Sequence, residues 1–499
     1  MTVFDECSIR SEGHLLERSA HGCIHVPLRS HASQGSQLPL RKMTRVVCLL
    51  LAFAASACRS EAQVSAGGGG VPKPDEYFSV LPQFERGLFI VPGDELTPQQ
   101  MKKRDAAWRA EIRRQLFIPD HLPKLAVRRW SSFSPMAGVL ADRVTYATAD
   151  GMRVPAIVYR PDPAVVRWQG RLPGIVIVNG HGGDKFSWYA FYSGLLFARA
   201  GAVVVTYDPI GEGERNSRKL SRENPSPHDA VVDLPQWGQQ LAGLMQTDLM
   251  QAVSYLRAQP EVDPTRIAVA GYSMGAFISG IAGAVDQRIH AVVLSGGGTY
   301  DGPHQYFDTG KLPCQSPPYR ALGVLGDRPA ILYTLNADRG PMLVMNGDAD
   351  TVMRMSEHPP AWFAAVRSRA VALHGSDKDM FTTILYPGIS HRTSWVDLDG
   401  VLWLDQQIHF ALWTDAEIRS AGTTHVSTWI RANHVDISPN YIREDREGGI
   451  DAVGTGFPAI PREELMVLPD GEWKKEEPVL TYRSWAEKMK RADGATDNR

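Results

Sequence analysis

The chain has 499 residues, 43% of them hydrophobic and 22% charged, an ordinary globular balance that excludes a long fibrous or disordered protein. Its length suits one large α/β domain with additions at its ends. The 53 Lys and Arg nearly cancel the 55 Asp and Glu, so the charge excess that binds nucleic acid or an anionic membrane surface is absent, and nucleic acid is not expected as a partner.

Residues 1–42 are polar and without periodicity, and read as a non-native or disordered extension. Arg41-Lys42-Met43-Thr44-Arg45 then gives a positive stretch, and Val46 to Ala57 an apolar one ending in Ala55-Ser56-Ala57. Residues 43–57 therefore read as a secretory signal peptide, and a secreted or periplasmic location is expected. The apolar run falls short of the about 20 residues that span a bilayer. Cys58 follows directly, as in a bacterial lipoprotein signal, and its acylation is the one membrane link the sequence offers. After processing only Cys58 and Cys314 remain of the five cysteines, too few for a disulfide framework. Cys314, in a loop between Pro313 and Pro317, is expected to be a spectator.

Residues 58–75, with their glycine run, read as a linker. The next segment, 76–142, is expected to be helical and to pack on the main domain, with a helix over Thr97 to Leu116 that ends before Pro119. Arg143 to Tyr146 and Val154 to Tyr159 flank the turn signal Asp150-Gly151, so a β-hairpin opens a catalytic domain over 143–433. Short apolar runs then alternate with helical patterns, the sequence form of a mostly parallel sheet covered on both faces. Strands are expected at Ile175 to Val178, Val203 to Tyr207, Ile267 to Ala270, Val292 to Ser295, Met342 to Met345 and Thr383 to Tyr386. Amphipathic spacing places helices at Asp248 to Ala258 and Ala276 to Ala284. The Pro- and Gly-rich stretch 300–341 reads as a lid-like insertion or pocket wall. Residues 434–499 form a C-terminal extension whose charged end, from Arg491, is expected to be disordered.

Gly271-Tyr272-Ser273-Met274-Gly275 falls between an expected strand and an expected helix, the context in which G-x-S-x-G marks a nucleophilic serine on a strained turn. A serine hydroxyl needs a base to take its proton and a carboxylate to orient that base, in the chain order Ser, acid, His. Asp350, in Asn346-Gly347-Asp348-Ala349-Asp350 beyond a strand, is the choice of acid, with Asp348 as runner-up. His391, at the end of Tyr386-Pro387-Gly388-Ile389-Ser390-His391, is the base. His409, His425 and His434 lie in apolar or helical contexts and read as packing or surface residues. The oxyanion donors are assigned to the Met274 amide and to Gly183, in preference to Gly182, in Asn179-Gly180-His181-Gly182-Gly183. His181 has no ligand-spaced companions in sequence and reads as loop support, so neither metal nor cofactor is called for. Asp208-Pro209-Ile210-Gly211-Glu212-Gly213-Glu214-Arg215 lacks the Lys-Ser/Thr of a phosphate loop and reads as a tight loop with Arg215 paired internally. Trp188, Tyr189, Trp237 and Tyr300 are candidates for stacking on a sugar or for packing.

Together these motifs resemble the α/β-hydrolases related to acetyl xylan esterases and dienelactone hydrolases. The resemblance runs over about Trp108 to Phe410 and includes Pro260-Glu261-Val262-Asp263-Pro264-Thr265-Arg266-Ile267. It implies an α/β-hydrolase fold and hydrolysis of short acyl esters, with acetylated polysaccharide or a small ester as substrate. A prolyl-oligopeptidase-like peptidase is disfavoured, because the residues ahead of the hairpin cannot build a propeller. Glucuronoyl ester cleavage stays open, as does a non-catalytic carbohydrate-binding role on a hydrolase scaffold.

Overall fold

The strands are β1 (Arg128–Met136), β2 (Val139–Ala147), β3 (Arg153–Pro161), β4 (Leu172–Val178), β5 (Val203–Tyr207), β6 (Val262–Tyr272), β7 (Ala291–Ser295), β8 (Met342–Gly347) and β9 (Thr382–Tyr386). They form one sheet in the order β1-β2-β3-β5-β4-β6-β7-β8-β9 in a computed structural model that describes residues 96–219, 226–435 and 449–496. The segments read as extension, signal peptide and linker, with Cys58, lie outside the described residues. β1 to β3 and the β3–β5 pair are antiparallel, and every pair from β5 to β9 is parallel.

The apolar runs are continuous because both faces are covered. In β4, Val176 and Val178 join the core beneath helices Pro98–Gln115, Trp237–Arg257, Met274–Val285 and Arg328–Arg339. The alternate residues Ile175 and Ile177 join the core beneath Trp188–Ala200 and Leu398–Ile408. The chain leaves β4 toward β5 on one side and β6 on the other. That reversal opens a crevice at the carboxyl ends of β4 and β6, where open α/β sheets place their sites.

The hairpin forms as expected, with Asp150 and Gly151 at φ 56° and 69° supplying its turn. The helix expected near Thr97 is Pro98–Gln115, started by a reciprocal capping box between Thr97 and Gln100. Four features differ from the sequence reading. The segment 76–142 is not only helical, since β1 and the start of β2 lie in it; β1 reads RRWSSFSPM and is a mostly exposed edge strand without clean alternation. The helix expected from Asp248 begins at Trp237. The insertion 300–341 ends in the helix Arg328–Arg339, the crossover into β8, capped by the Asp327 side chain and fastened by Asn336 Nδ2 donating to Gly280 O at 2.8 Å. Only its first part is left to act as a wall. Finally, the extension carries helices Asp470–Leu480 and Tyr482–Thr496, so helix rather than disorder continues past Arg491, and Trp473 and Trp485 are buried. Among the described residues no helix is long and apolar enough to cross a membrane.

Candidate active site

Ser273 sits between β6 and the helix Met274–Val285 with φ 54° and ψ −113°, a strained conformation for a non-glycine residue. Its neighbours explain the glycines. A Cβ on Gly271 would lie 2.2 Å from Gly275 O, and one on Gly275 would lie 2.1 Å from Val178 O, so neither position admits a side chain. Ser273 N donates to Ser295 O at 2.9 Å, which ties the turn to β7.

Beyond β8 the buried Asp350 accepts from the backbone N–H of Val352 at 2.8 Å and Met353 at 2.9 Å through Oδ1, and meets His391 Nδ1 at 2.6 Å through Oδ2. His391, beyond β9, places Nε2 2.9 Å from Ser273 Oγ. Its backbone carbonyl accepts from the Tyr272 hydroxyl at 2.6 Å, and the close backbone at Gly296 confines its ring. The three residues chosen from sequence therefore converge in one relay. With the imidazole proton on Nδ1 donated to Asp350, Nε2 is left to take the serine proton.

The electrostatics fit that relay. Burial lowers the His391 pKa, the Asp350 charge only partly restores it, and the ring is held below its ordinary value. Burial raises the Asp350 carboxyl, but His391 and the two backbone donors outweigh it and keep it below the usual carboxylate range. Asp348, by contrast, is exposed and accepts from Gly388 N at 2.7 Å, in the loop beyond β9.

Met274 opens its helix, so its N–H has no acceptor within the helix. The Gly183 assignment is corrected. Gly183 N donates to Gly180 O at 3.0 Å, which closes a turn and consumes the amide. The glycine against the nucleophile is Gly180, where a Cβ would lie 3.1 Å from Ser273 Cβ. The amides of His181 and of the runner-up Gly182 remain without protein acceptors among the described residues. Spacing could not separate these adjacent amides; the turn that consumes one of them could.

Sequence reading missed Lys311. It lies in the wall segment with Nζ 3.4 Å from Val352 O and 3.5 Å from Met353 Sδ, beside the loop that holds Asp350. Burial pulls its pKa down to about 8 against the pull of Asp350 and Asp301. Cys314 in the same segment is a buried thiol whose pKa burial pushes well up, so it is no nucleophile by itself. Its Sγ lies 3.0 Å from His181 Nε2.

The Asp208 to Arg215 run is an internal brace. Lys185 Nζ pairs with Asp208 and, at 2.8 Å, with Glu214, all fully buried. Arg215 pairs with buried Asp248, as expected from sequence. The Glu214 carboxylate accepts from the N–H of Val467 at 2.8 Å and Leu468 at 2.9 Å, so this loop also anchors the C-terminal extension. Of the aromatic candidates, Trp237, Tyr300 and Tyr189 are buried, the Tyr189 hydroxyl accepting from Gly180 N at 3.2 Å, whereas Trp188 is half-buried at a small recess beside Arg392. His409 caps a helix C-terminus, His425 bonds Ser427, and His434 follows another helix; none has a hydrogen bond or ion pair with the relay.

The description "Alpha/beta hydrolase family" matches residues 175–448, more than half of the chain. The thiohydrolase apmlB of Arthrinium phaeospermum is 28% identical over 154 residues, covering 31% of this chain and 42% of that protein. The uncharacterized peptidase YuxL of Bacillus subtilis (strain 168) is 25% identical over 219 residues, 42% of this chain and 30% of that protein. The chain thus spans less than half the length of these curated relatives. Among solved structures, the methylesterase BT1017 superposes with a TM-score of 0.53 at 19% identity, over 80% of this chain and 77% of that one. The acetyl xylan esterase 1 from Thermoanaerobacterium sp. JW/SL YS485 does so with a TM-score of 0.42 at 18% identity, over 64% and 100%. The matched stretch contains Ser273, Asp350 and His391, and with its mostly parallel nine-stranded sheet the chain belongs to the alpha/beta hydrolase family.

Proposed function

We propose that the chain is an exported serine esterase that removes short acyl groups, acetyl above all, from carbohydrates. The observation that carries this reading is the unbroken relay from Asp350 through His391 to Ser273 Oγ. Ser273 Oγ attacks the ester carbonyl as His391 Nε2 takes its proton, and the Met274 amide with an amide of the His181–Gly182 stretch receives the oxyanion. His391 then returns the proton to the leaving sugar hydroxyl. Water, deprotonated by the same imidazole, releases the carboxylic acid from the acyl-enzyme. Half-buried Trp188 and Arg392 beside the His391 loop support a carbohydrate alcohol, since an indole face and a guanidinium suit a sugar ring. Export rests on the signal-like 43–57 segment.

The test is hydrolysis of p-nitrophenyl acetate, longer acyl esters, acetylated xylan and a methyl-esterified polyuronide, with Ser273→Ala as control. The reading expects acetate to be preferred and the variant to lose about 10⁴-fold or more. Equal activity of both proteins, or inertness on every ester, overturns it; preference for the methyl ester retains the serine mechanism but moves the substrate to uronate esters.

A further inference from the structure

Beside the oxyanion loop four side chains converge from three stretches distant in sequence: His181 after β4, the adjacent His228 and Asp229, and Cys314 of the wall segment. One donor atom from each lies within 4.8 Å of all the others. His181 Nε2 is 3.2 Å from Asp229 Oδ1 and 3.0 Å from Cys314 Sγ, Cys314 Sγ is 3.4 Å from Asp229 Oδ1, and His228 Nε2 is 3.6 Å from that same oxygen. The two imidazoles stack with centroids 5.1 Å apart.

Three of these spacings, 3.2, 3.4 and 3.6 Å, match the edges of a tetrahedral coordination shell, and the 3.0 Å one is a few tenths of an ångström short of it. Metal–nitrogen and metal–oxygen bonds of about 2.0–2.2 Å and metal–sulfur bonds of about 2.3 Å put the donors of a tetrahedral zinc ion about 3.3–3.6 Å apart. Hydrogen bonds join His181, Asp229 and Cys314 but leave His228 aside. Among the described residues the fully buried His228 ring meets the Ile210 backbone but reaches no side-chain partner within hydrogen-bond range; Nδ1 is 3.9 Å from Glu212 Oε1, so one ring nitrogen is left unused. A buried imidazole in that state costs free energy unless its lone pair is used. Two neutral imidazoles, a carboxylate and a thiolate would bring two negative charges to a dication, and the buried Glu212 stands behind His228 Nδ1 where ligating histidines commonly keep an outer carboxylate.

We propose that His181, His228, Asp229 and Cys314 bind one divalent transition-metal ion of the zinc class. Four protein donors of mixed N, O and S type suit a closed, positioning site rather than an open catalytic one. Binding releases the Cys314 thiol proton to solvent. The ion would tie the His181 loop, whose Gly180 lies against Ser273, to the wall segment, whose Cys314 Sγ lies 3.9 Å from Met274 Sδ. Both sides of the oxyanion site would then be held by one centre.

The test is metal uptake by the full chain, stripped with a chelator and titrated with zinc, and separately with cobalt for its spectrum. Expected are one equivalent bound, a thiolate-to-cobalt charge-transfer band, and loss of that band in Cys314→Ser. Zinc affinity should fall at least about a hundredfold in Cys314→Ser and Asp229→Asn, beyond the loss that altering an outer-shell partner brings. Circular dichroism checks that each variant folds, and His228→Gln replaces any that does not. Ser273→Ala should bind metal like the parent, which separates this site from the esterase reading. No stoichiometric uptake by the folded parent, or the same uptake and spectrum in the folded ligand variants, overturns the proposal.

Discussion

Asp350 reaches His391 at 2.6 Å while Asp348, two residues earlier, turns outward to accept the Gly388 amide. The division follows from the loop. The N–H groups of Val352 and Met353 converge on Asp350 and hold its second oxygen toward the imidazole. Asp350→Asn keeps the shape but favours the wrong imidazole tautomer, and should lower kcat on p-nitrophenyl acetate by about 10⁴-fold. Asp348→Ala should leave kcat within a small factor. The opposite ranking would move the acid to Asp348.

The pH profile should reflect the depressed His391 pKa. The imidazole must be neutral to accept the serine proton, so kcat/KM should rise with pH through the His391 pKa and level off above it, with a midpoint below the ordinary histidine value of about 6.5. Lys311 contributes to the depression as a nearby positive charge. Lys311→Met removes that charge and should move the acid limb to higher pH. A limb unmoved in a folded, active Lys311→Met enzyme would show that the lysine does not act on the imidazole.

Ser273, Asp350 and His391 were legible because each occupies a short motif beyond the carboxyl end of a strand, and the sheet itself brings these ends together. The strands were legible for a related reason: coverage on both faces turns each into an unbroken apolar run. What escaped lacked a local signature. β1 is an exposed edge strand whose mixed polar composition hides its pairing with β2. Lys311 meets the loop that holds Asp350 only because the wall segment folds back over it. His181, His228, Asp229 and Cys314 share no spacing, so their meeting is a property of the tertiary fold. The Arg328–Arg339 helix did carry a signal, the capping Asp327 followed by Pro329 in its first turn, which the density of Pro and Gly around it obscured.

Lys185→Met should destabilise the protein strongly. The ammonium lies between the fully buried carboxylates of Asp208 and Glu214. Burial lowers the lysine pKa, but the two carboxylates more than restore it, and it remains charged at neutral pH. Removing it leaves two buried acids facing one another, a loss of about 3–5 kcal/mol by analogy with broken buried ion pairs. Urea unfolding measures this, and hydrogen exchange should show the Val467 and Leu468 amides losing protection first, because Glu214 is their acceptor. An unchanged midpoint would mean that the brace contributes nothing net.

Gly180→Ala tests how closely the oxyanion loop approaches the nucleophile. The added Cβ would meet Tyr272 O at 3.0 Å and Ser273 Cβ at 3.1 Å, both on the strained turn and neither at the end of a flexible side chain. Relief requires the loop or the turn to shift by a few tenths of an ångström. The sheet core should absorb little of that shift, while the oxyanion donors lose their alignment, so kcat should fall toward the about 100- to 1,000-fold loss that removing one oxyanion donor brings, with KM changing much less. Steady-state kinetics beside a thermal melt would separate the effects. A variant that melts like the parent and turns over at the parent's rate would show that the loop's close approach is not used in catalysis.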